Sequence, residues 1–453
     1  MTVENTYTSN HVVGIVGGAT AGSEIARILV ERGALVIVFE QNPRPYGKIE
    51  DGLPRWHVKQ RKDEYENINA RLDRSGIEYV PLTRLGRDLS FDELRLRWGL
   101  SALVLTHGAW RDRPFPVGGA DEYTGRGLLY QNPFIYWFNH YPEASYNGPR
   151  YAIAPGAIVV GGGLASLDVV KVLQLETTLA ALRARGIEED MLHLERAGIE
   201  PVLGGHGLTW ADLGVRPCKL IYRRRVLDMP LSDIPSGIDP KRAQALRHAR
   251  AKILEKAQAK YRFEFQELSL PTGLITAGGR LCGLRLSRTE VVGSEVRVVA
   301  GSEHEMRADL VVSSIGSIPE PLPGIPRRGE VYQYAEQKVG LLIEGPTAVF
   351  AAGNVLTGKG NIKDSLDSGT EIGHHVAESY LGLTDHKIPL YETDRARAEH
   401  RGHQIGAAVA DRPALAAETV AAIMHRVRER QRAVGYEGKY REWIRRVTPP
   451  DLQ

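Results

Sequence analysis

The sequence predicts an α/β protein organised around two glycine-rich turns, with a helical extension at its C-terminal end. The turns lie about 145 residues apart, and each closes an apolar run. They read Val13-Gly14-Ile15-Val16-Gly17-Gly18-Ala19-Thr20-Ala21-Gly22 and Ala157-Ile158-Val159-Val160-Gly161-Gly162-Gly163-Leu164-Ala165-Ser166. Each reads as a buried strand, a tight turn and a helix start, the arrangement that holds a dinucleotide pyrophosphate. The next strand ends in glutamate after the first turn and in three arginines after the second. Two such turns with unlike endings point to two Rossmann-like domains and two dinucleotides held face to face, a flavoenzyme layout.

At 453 residues the chain can hold two or three domains, each able to bury its own core. A net charge of +3 is too small to indicate a nucleic-acid partner. No apolar run approaches the roughly 20 residues needed to span a bilayer. The polar stretch Met1 to His11 lacks a signal-peptide core, so the expected location is cytoplasmic. Cys218 and Cys282 are the only cysteines, which excludes a four-cysteine iron–sulfur site in this chain and leaves no Cys-x-x-Cys pair. No metal site is expected, and electrons must leave through a partner.

At the first turn, Gly17 permits the tight bend and Gly22 lets the following helix pack closely on the sheet. The helix amides can then bond a pyrophosphate. The middle glycine of the usual pattern is Ala19, whose methyl narrows the approach of a phosphate. The strand Leu35 to Phe39 ends in Glu40, a carboxylate that can accept both hydroxyls of an adenosine ribose and would repel a 2′-phosphate. This site fits FAD or NAD.

At the second turn, Gly161, Gly163 and Ser166 repeat the pattern, and Asp168 is expected to begin the helix. An insertion over about Leu173 to Arg216 precedes the strand Cys218 to Tyr222, which ends in Arg223-Arg224-Arg225. Guanidinium groups there can grip a 2′-phosphate through bidentate, charge-assisted bonds. Glutamate in one site and arginines in the other assign FAD to the first and NADP to the second.

These residues carry a wider pattern. The chain resembles the adrenodoxin reductase-type ferredoxin–NADP reductases and, more distantly, the small subunit of glutamate synthase. The likeness runs from about Val12 to Leu381. It rests on Tyr46-Gly47-Lys48-Ile49-Glu50-Asp51-Gly52-Leu53-Pro54-Arg55-Trp56-His57, similar to the family's loop against the flavin, and on Leu105-Thr106-His107-Gly108-Ala109, similar to its crossover segment. It also rests on the aromatic stretch Phe134 to Glu143 and on Val349-Phe350-Ala351-Ala352-Gly353-Asn354-Val355, the strand that returns to the flavin. Asn354 stands where adrenodoxin reductases have Trp, and Gly358 to Ile362 also departs from the family. Tyr222-Arg223-Arg224-Arg225 with Asp228-Met229-Pro230 is closer to the glutamate synthase subunit.

The resemblance implies an FAD domain over 1–150 and 301–385, an inserted NADP domain over 151–300, and a C-terminal helical extension over 386–453 outside the likeness. It implies FAD contacts at Gly17, Ala19, Gly22, Glu40, Gly47, Gly108, Gly353, Asn354 and Ile362, and NADP contacts at Gly161, Gly163, Ser166, Arg223 and Arg224. No catalytic residue is certain, since hydride transfer needs no protein acid or base. Asn354 and His57 are the candidates, and for His57 a structural role is equally open. The implied function is an FAD-dependent NADPH oxidoreductase exchanging single electrons with a ferredoxin-like carrier. The alternatives are a flavin subunit of a larger complex and a non-catalytic nucleotide-binding module.

Asp239 to Arg262 reads as a helix rich in Lys and Arg, which would steer an acidic carrier. Ala414 to Val434 reads as a second, alanine-rich helix, followed by Tyr436, Tyr440 and Trp443. This extension covers the FAD domain, forms a homodimer or binds another subunit.

Overall fold

The computed structural model of the protein describes residues 11–235, 237–358, 360–383 and 414–452. The expectation for 386–413 lies outside the described residues. The chain opens with β1 (Val12–Val16), α1 (Thr20–Glu31), β2 (Leu35–Phe39), α2 (Val58–Leu72), β3 (Ile77–Val80) and β4 (Ala102–Leu105). There follow β5 (Leu128–Tyr130), α3 (Gln131–His140), β6 (Ile158–Gly161), α4 (Leu164–Arg183), β7 (Lys219–Ile221), α5 (Pro240–Tyr261) and β8 (Glu264–Gln266). Next come β9 (Ser269–Ala277), β10 (Arg280–Val292), β11 (Glu295–Val298), β12 (His304–Arg307) and β13 (Val311–Ser314). The chain closes with β14 (Leu341–Ile343), β15 (Ala348–Ala351), α6 (Ile362–His374), α7 (Ala417–Ala433) and α8 (Tyr440–Val447). Among the described residues, no helix is long and apolar enough to cross a membrane.

Two compact units result, one of residues 1–50, 58–111 and 318–453, the other of 51–57 and 112–317. The first is built on a six-stranded sheet in the order β14-β15-β4-β1-β2-β3, parallel except for β14. The second carries a five-stranded parallel sheet, β5-β13-β6-β7-β8, and an antiparallel sheet in which β10 pairs with β9, β11 and β12. The apolar runs of β1, β2 and β4 are fully buried, as parallel strands covered on both faces require.

The unit boundaries differ from the expected 150 and 300. Residues 112–150 and 301–317 pack with the second unit. The reason is strand pairing: β13, short and distant in sequence, lies between β5 and β6, so both flanks of the expected domain join its sheet.

The insertion also starts later than expected. α4 runs to Arg183, and short helices at Met191–Ala197, Ile199–Gly205 and Trp210–Leu213 fill the rest.

The described C-terminal helices belong to the first unit. Val420, Ile423, Met424 and Val427 of α7 join the cluster of Leu35, Ile37 and Phe39 on one face of the sheet. Tyr436, Tyr440, Trp443 and Ile444 join Val36, Val38 and Tyr79 on the other. Between them α7 guards the edge strand β3: Gln431 donates to the Tyr79 carbonyl at 2.9 Å and Arg428 pairs with Glu78 at 2.7 Å. Covering an edge this way satisfies exposed strand groups that would otherwise recruit another chain.

Candidate functional site

Each glycine-rich turn leaves the strand where its sheet order reverses. β1 lies between β2 and β4, and β6 between β7 and β13. Ligands of open α/β sheets bind in the crevice at such a point.

In the first turn Gly17 has φ +100°, and a Cβ there would stand 2.8 Å from the Thr106 carbonyl oxygen. A Cβ on Gly22 would stand 1.9 Å from the carbonyl oxygen of Gly17. Both positions therefore demand glycine. Thr106 closes the turn by donating its hydroxyl to Gly17 O at 2.7 Å. Ala19 is the N-cap of α1 but contributes no side-chain cap, so its side chain takes up none of the first-turn amides. Gly47 (φ +51°) approaches Ala19 closely, since a Cβ there would be 3.0 Å from the Ala19 methyl.

Glu40 is buried (4% exposed), and its two oxygens accept from the backbone N–H of Gly18 at 2.9 Å and of Asn42 at 3.0 Å. A carboxylate has about four acceptor directions. Glu40 thus braces the turn.

The closing strand β15 delivers Gly353 (φ +68°), whose N–H donates to Ser368 Oγ at 2.9 Å. Asn354 begins the short helix Asn354–Thr357, and its Oδ1 is buried without a hydrogen-bond partner among the described residues. Ile362 is the first residue of α6, whose N-cap Asn361 accepts from the Asp364 N–H at 2.7 Å. α6 packs tightly on α1, because Cβ atoms at Gly369 and Gly373 would meet Ala21 O at 2.9 Å and Ile28 Cδ1 at 3.0 Å. Gly108 (φ +76°) follows His107, whose ring bonds Tyr332 at 3.2 Å and whose pKa burial lowers to about 4. All nine residues expected at FAD therefore share the first unit.

In the second turn a Cβ on Gly161 would stand 2.2 Å from Ser314 O, and one on Gly162 would meet the Tyr222 ring at 2.2 Å. A Cβ on Gly163 would meet nothing within 4 Å. Gly163 is the N-cap of α4, again without a side-chain cap. Ser166 is buried and donates to Ser314 O at 2.9 Å. Asp168 lies one turn inside α4, not at its start. Burial lifts its carboxyl to about 6, against the pull of Lys171 at 3.6 Å.

The three arginines separate in role. Arg225 pairs with Asp228 at 2.9 Å, and Arg224 donates to the Ser294 carbonyl at 2.6 Å. The Arg223 side chain is exposed and makes no hydrogen bond among the described residues. His57 belongs to the second unit, whereas the nine residues expected at FAD belong to the first. The expected basic helix is present as α5, capped by Asp239. Arg250 and Arg262 are tied to Ser232 O and Glu200, whereas Lys241, Arg242, Arg247, Lys252 and Lys256 are exposed.

Sequence reasoning quoted Thr106 and Tyr222 only as members of motifs, without these contacts, and it missed Ser368 and the Gly369–Gly373 pair. Only the last had a local signal, two small residues four apart on one helix face.

No family model matches. The chain is 23% identical over 342 residues to the mitochondrial NADPH:adrenodoxin oxidoreductase of Arabidopsis thaliana, covering 69% of this chain and 68% of that protein. It is 24% identical to the NADPH-ferredoxin reductase FprA of Mycobacterium leprae, covering 79% of this chain and 83% of that one. It is also 24% identical to the glutamate synthase [NADPH] small chain of Bacillus subtilis, covering 82% and 68%. The structure of Mycobacterium tuberculosis FprA in complex with NADPH superposes with a TM-score of 0.65 at 18% identity, covering 96% of this chain and 99% of that one.

The two-domain dinucleotide-binding fold and the resemblance to adrenodoxin reductase-type proteins are thus borne out. The likeness to that structure covers 96% of this chain, more than residues 1–385 alone could supply.

Proposed function

We propose that the chain is an FAD-dependent NADPH oxidoreductase that exchanges single electrons with a ferredoxin-like carrier. The contrast between Glu40 and Arg223 carries this reading. One is a buried carboxylate braced by its own turn, the other an exposed guanidinium at the equivalent strand end. The relatives named for NADPH-dependent oxidoreduction support it.

The first turn fits FAD. Gly17, Ala19, Gly22 and the amides of α1 would hold the pyrophosphate, and Glu40 the ribose. Gly47, Gly108, Gly353, Asn354 and Ile362 would line the rest. The second turn fits NADP: open space at Gly163 admits a pyrophosphate, Ser166 fixes the turn, and Arg223 with Arg224 would clasp a 2′-phosphate. When bound, FAD would supply two-electron exchange with a nicotinamide and one-electron exchange with a carrier. The protein's part is to bind and orient the two rings, which converts a bimolecular transfer into a unimolecular one. The five exposed cations of α5 form the proposed docking face for an acidic carrier, and the proposed location is cytoplasmic.

A visible spectrum followed by anaerobic NADPH addition, with and without an oxidised ferredoxin, tests this reading. Flavin bleaching by NADPH and subsequent ferredoxin reduction are expected; a flavin that NADPH leaves oxidised would refute it.

The glutamate synthase small chains favour a second reading, a flavin subunit of a larger complex. Co-purification of a stoichiometric partner from the native source would select it.

A further inference from the structure

Residues 51–57 leave and rejoin the first unit at Glu50 and Val58, yet they pack as part of the second. α3 and the turn after it hold them. His140 stands between two carboxylates, with Nε2 3.0 Å from Asp51 Oδ1 and Nδ1 2.7 Å from Glu143 Oε1. Asn139 donates to the Leu53 carbonyl at 3.0 Å. The Arg55 guanidinium lies 4.6 Å from the Phe138 ring centroid and 4.9 Å from that of Tyr141. Trp56 packs at 5.2 Å on Phe138, with Lys171 5.5 Å from the Trp56 ring centroid.

We propose that His140 is a positioning residue that buckles segment 51–57 to the nicotinamide-binding unit and so sets where Trp56 and His57 stand. The inference rests on the NADPH oxidoreductase reading for its functional consequence, and on the geometry for the buckle itself. Both ring nitrogens face carboxylate oxygens, so both bonds form only when each nitrogen carries a hydrogen, as in imidazolium. Asp51 and His140 are almost wholly buried. Removing the cation between them would take one charged, hydrogen-bonding partner from each carboxylate.

Burial works against the His140 proton, but the bonds to Asp51 and Glu143 outweigh it and hold the pKa up at about 9. The charged groups facing His140 are Asp51 from the segment and Glu143 from the turn after α3. The Tyr136 ring lies 4.5 Å away. The contribution of a raised histidine is complete below its ordinary 6.5 and is lost as pH rises through about 9. Protection of 51–57 should therefore fall near pH 9 in the native chain and show no such step in His140→Gln.

The test is hydrogen–deuterium exchange of His140→Gln in the full chain without nucleotide, followed by FAD loading and anaerobic reduction with NADPH. Exchange at 51–57 should rise about tenfold while residues 12–22 stay unchanged. FAD stoichiometry should hold, because the proposed FAD residues lie in the other unit, and flavin reduction should slow. Glu143→Gln, which keeps the Asp51 bond, should give a smaller rise. Unchanged exchange at 51–57 would mean that Arg55 and Trp56 hold the segment unaided, and would overturn the proposal. An equal rise at 12–22 would mean general destabilisation, and would also overturn it. If His140→Gln does not fold, Glu143→Gln and Asp51→Asn decide by the same exchange criterion. A native chain that NADPH cannot reduce would refute the oxidoreductase reading, while the exchange result would still decide the buckle.

Discussion

The two glycine-rich turns share a plan and solve its tightest point in opposite ways. In the first, the third small residue is Gly22, and the closing hydroxyl comes from the neighbouring strand, where Thr106 donates to Gly17 O. In the second, the third residue is Ser166, and its own hydroxyl reaches the neighbouring strand at Ser314 O. The middle position reverses this pattern, with a methyl at Ala19 and open space at Gly163. The strand ends differ most, a braced buried carboxylate against an exposed guanidinium. Turn geometry is therefore shared physics, and the strand ends are where the two proposed ligands would be told apart.

The sharpest way to break the comparison is Gly22→Ala beside Ser166→Ala. A methyl 1.9 Å from Gly17 O has no room, so Gly22→Ala should cost about 3 kcal/mol or more and abolish FAD retention. Ser166→Ala removes one hydroxyl bond and should cost about 1 kcal/mol. Thermal unfolding of the two variants compares them directly.

Glu40→Ala comes next. It strips an acceptor from the N–H groups of Gly18 and Asn42, so a loss of about 2 kcal/mol and a weakened FAD complex are expected in equilibrium dialysis. Arg223→Ala should lower the preference for NADPH over NADH by about tenfold to a hundredfold, the worth of a charge-assisted bond. Arg224→Ala should do less, because that side chain already serves Ser294. The smallest effect on folding belongs to Gly163→Ala: its added methyl meets nothing within 4 Å and its backbone is extended. Its Tm should stay unchanged while KM for NADPH rises.

What was legible in the sequence was local. Gly17 and Gly161 announce themselves because close backbone approach admits no other residue, and the α5 boundaries follow from Asp239, Pro240 and a run rich in Lys, Arg and Ala with no internal Gly or Pro. The unread features depend on distant partners. Nothing near Val311 says that it will lie between Leu128 and Ile158 and so move the unit boundary. Nothing near Asp51 says that it will meet His140. The aromatic residues after α7 were visible, but their landing on Tyr79 was not, since a covered edge strand carries the same pattern as an exposed one. Arg223, Arg224 and Arg225 looked alike in sequence, and only Asp228 and Ser294 tell them apart.

The most direct measurement is an anaerobic titration of the FAD-loaded chain and its Arg223→Ala variant with NADPH and, separately, NADH. Bleaching of the native flavin by NADPH well ahead of NADH, with that preference collapsing in the variant, is the result expected if the strand ends assign the two ligands. Equal reduction by both nucleotides in the native chain, or a preference that survives Arg223→Ala and Arg224→Ala together, would contradict it.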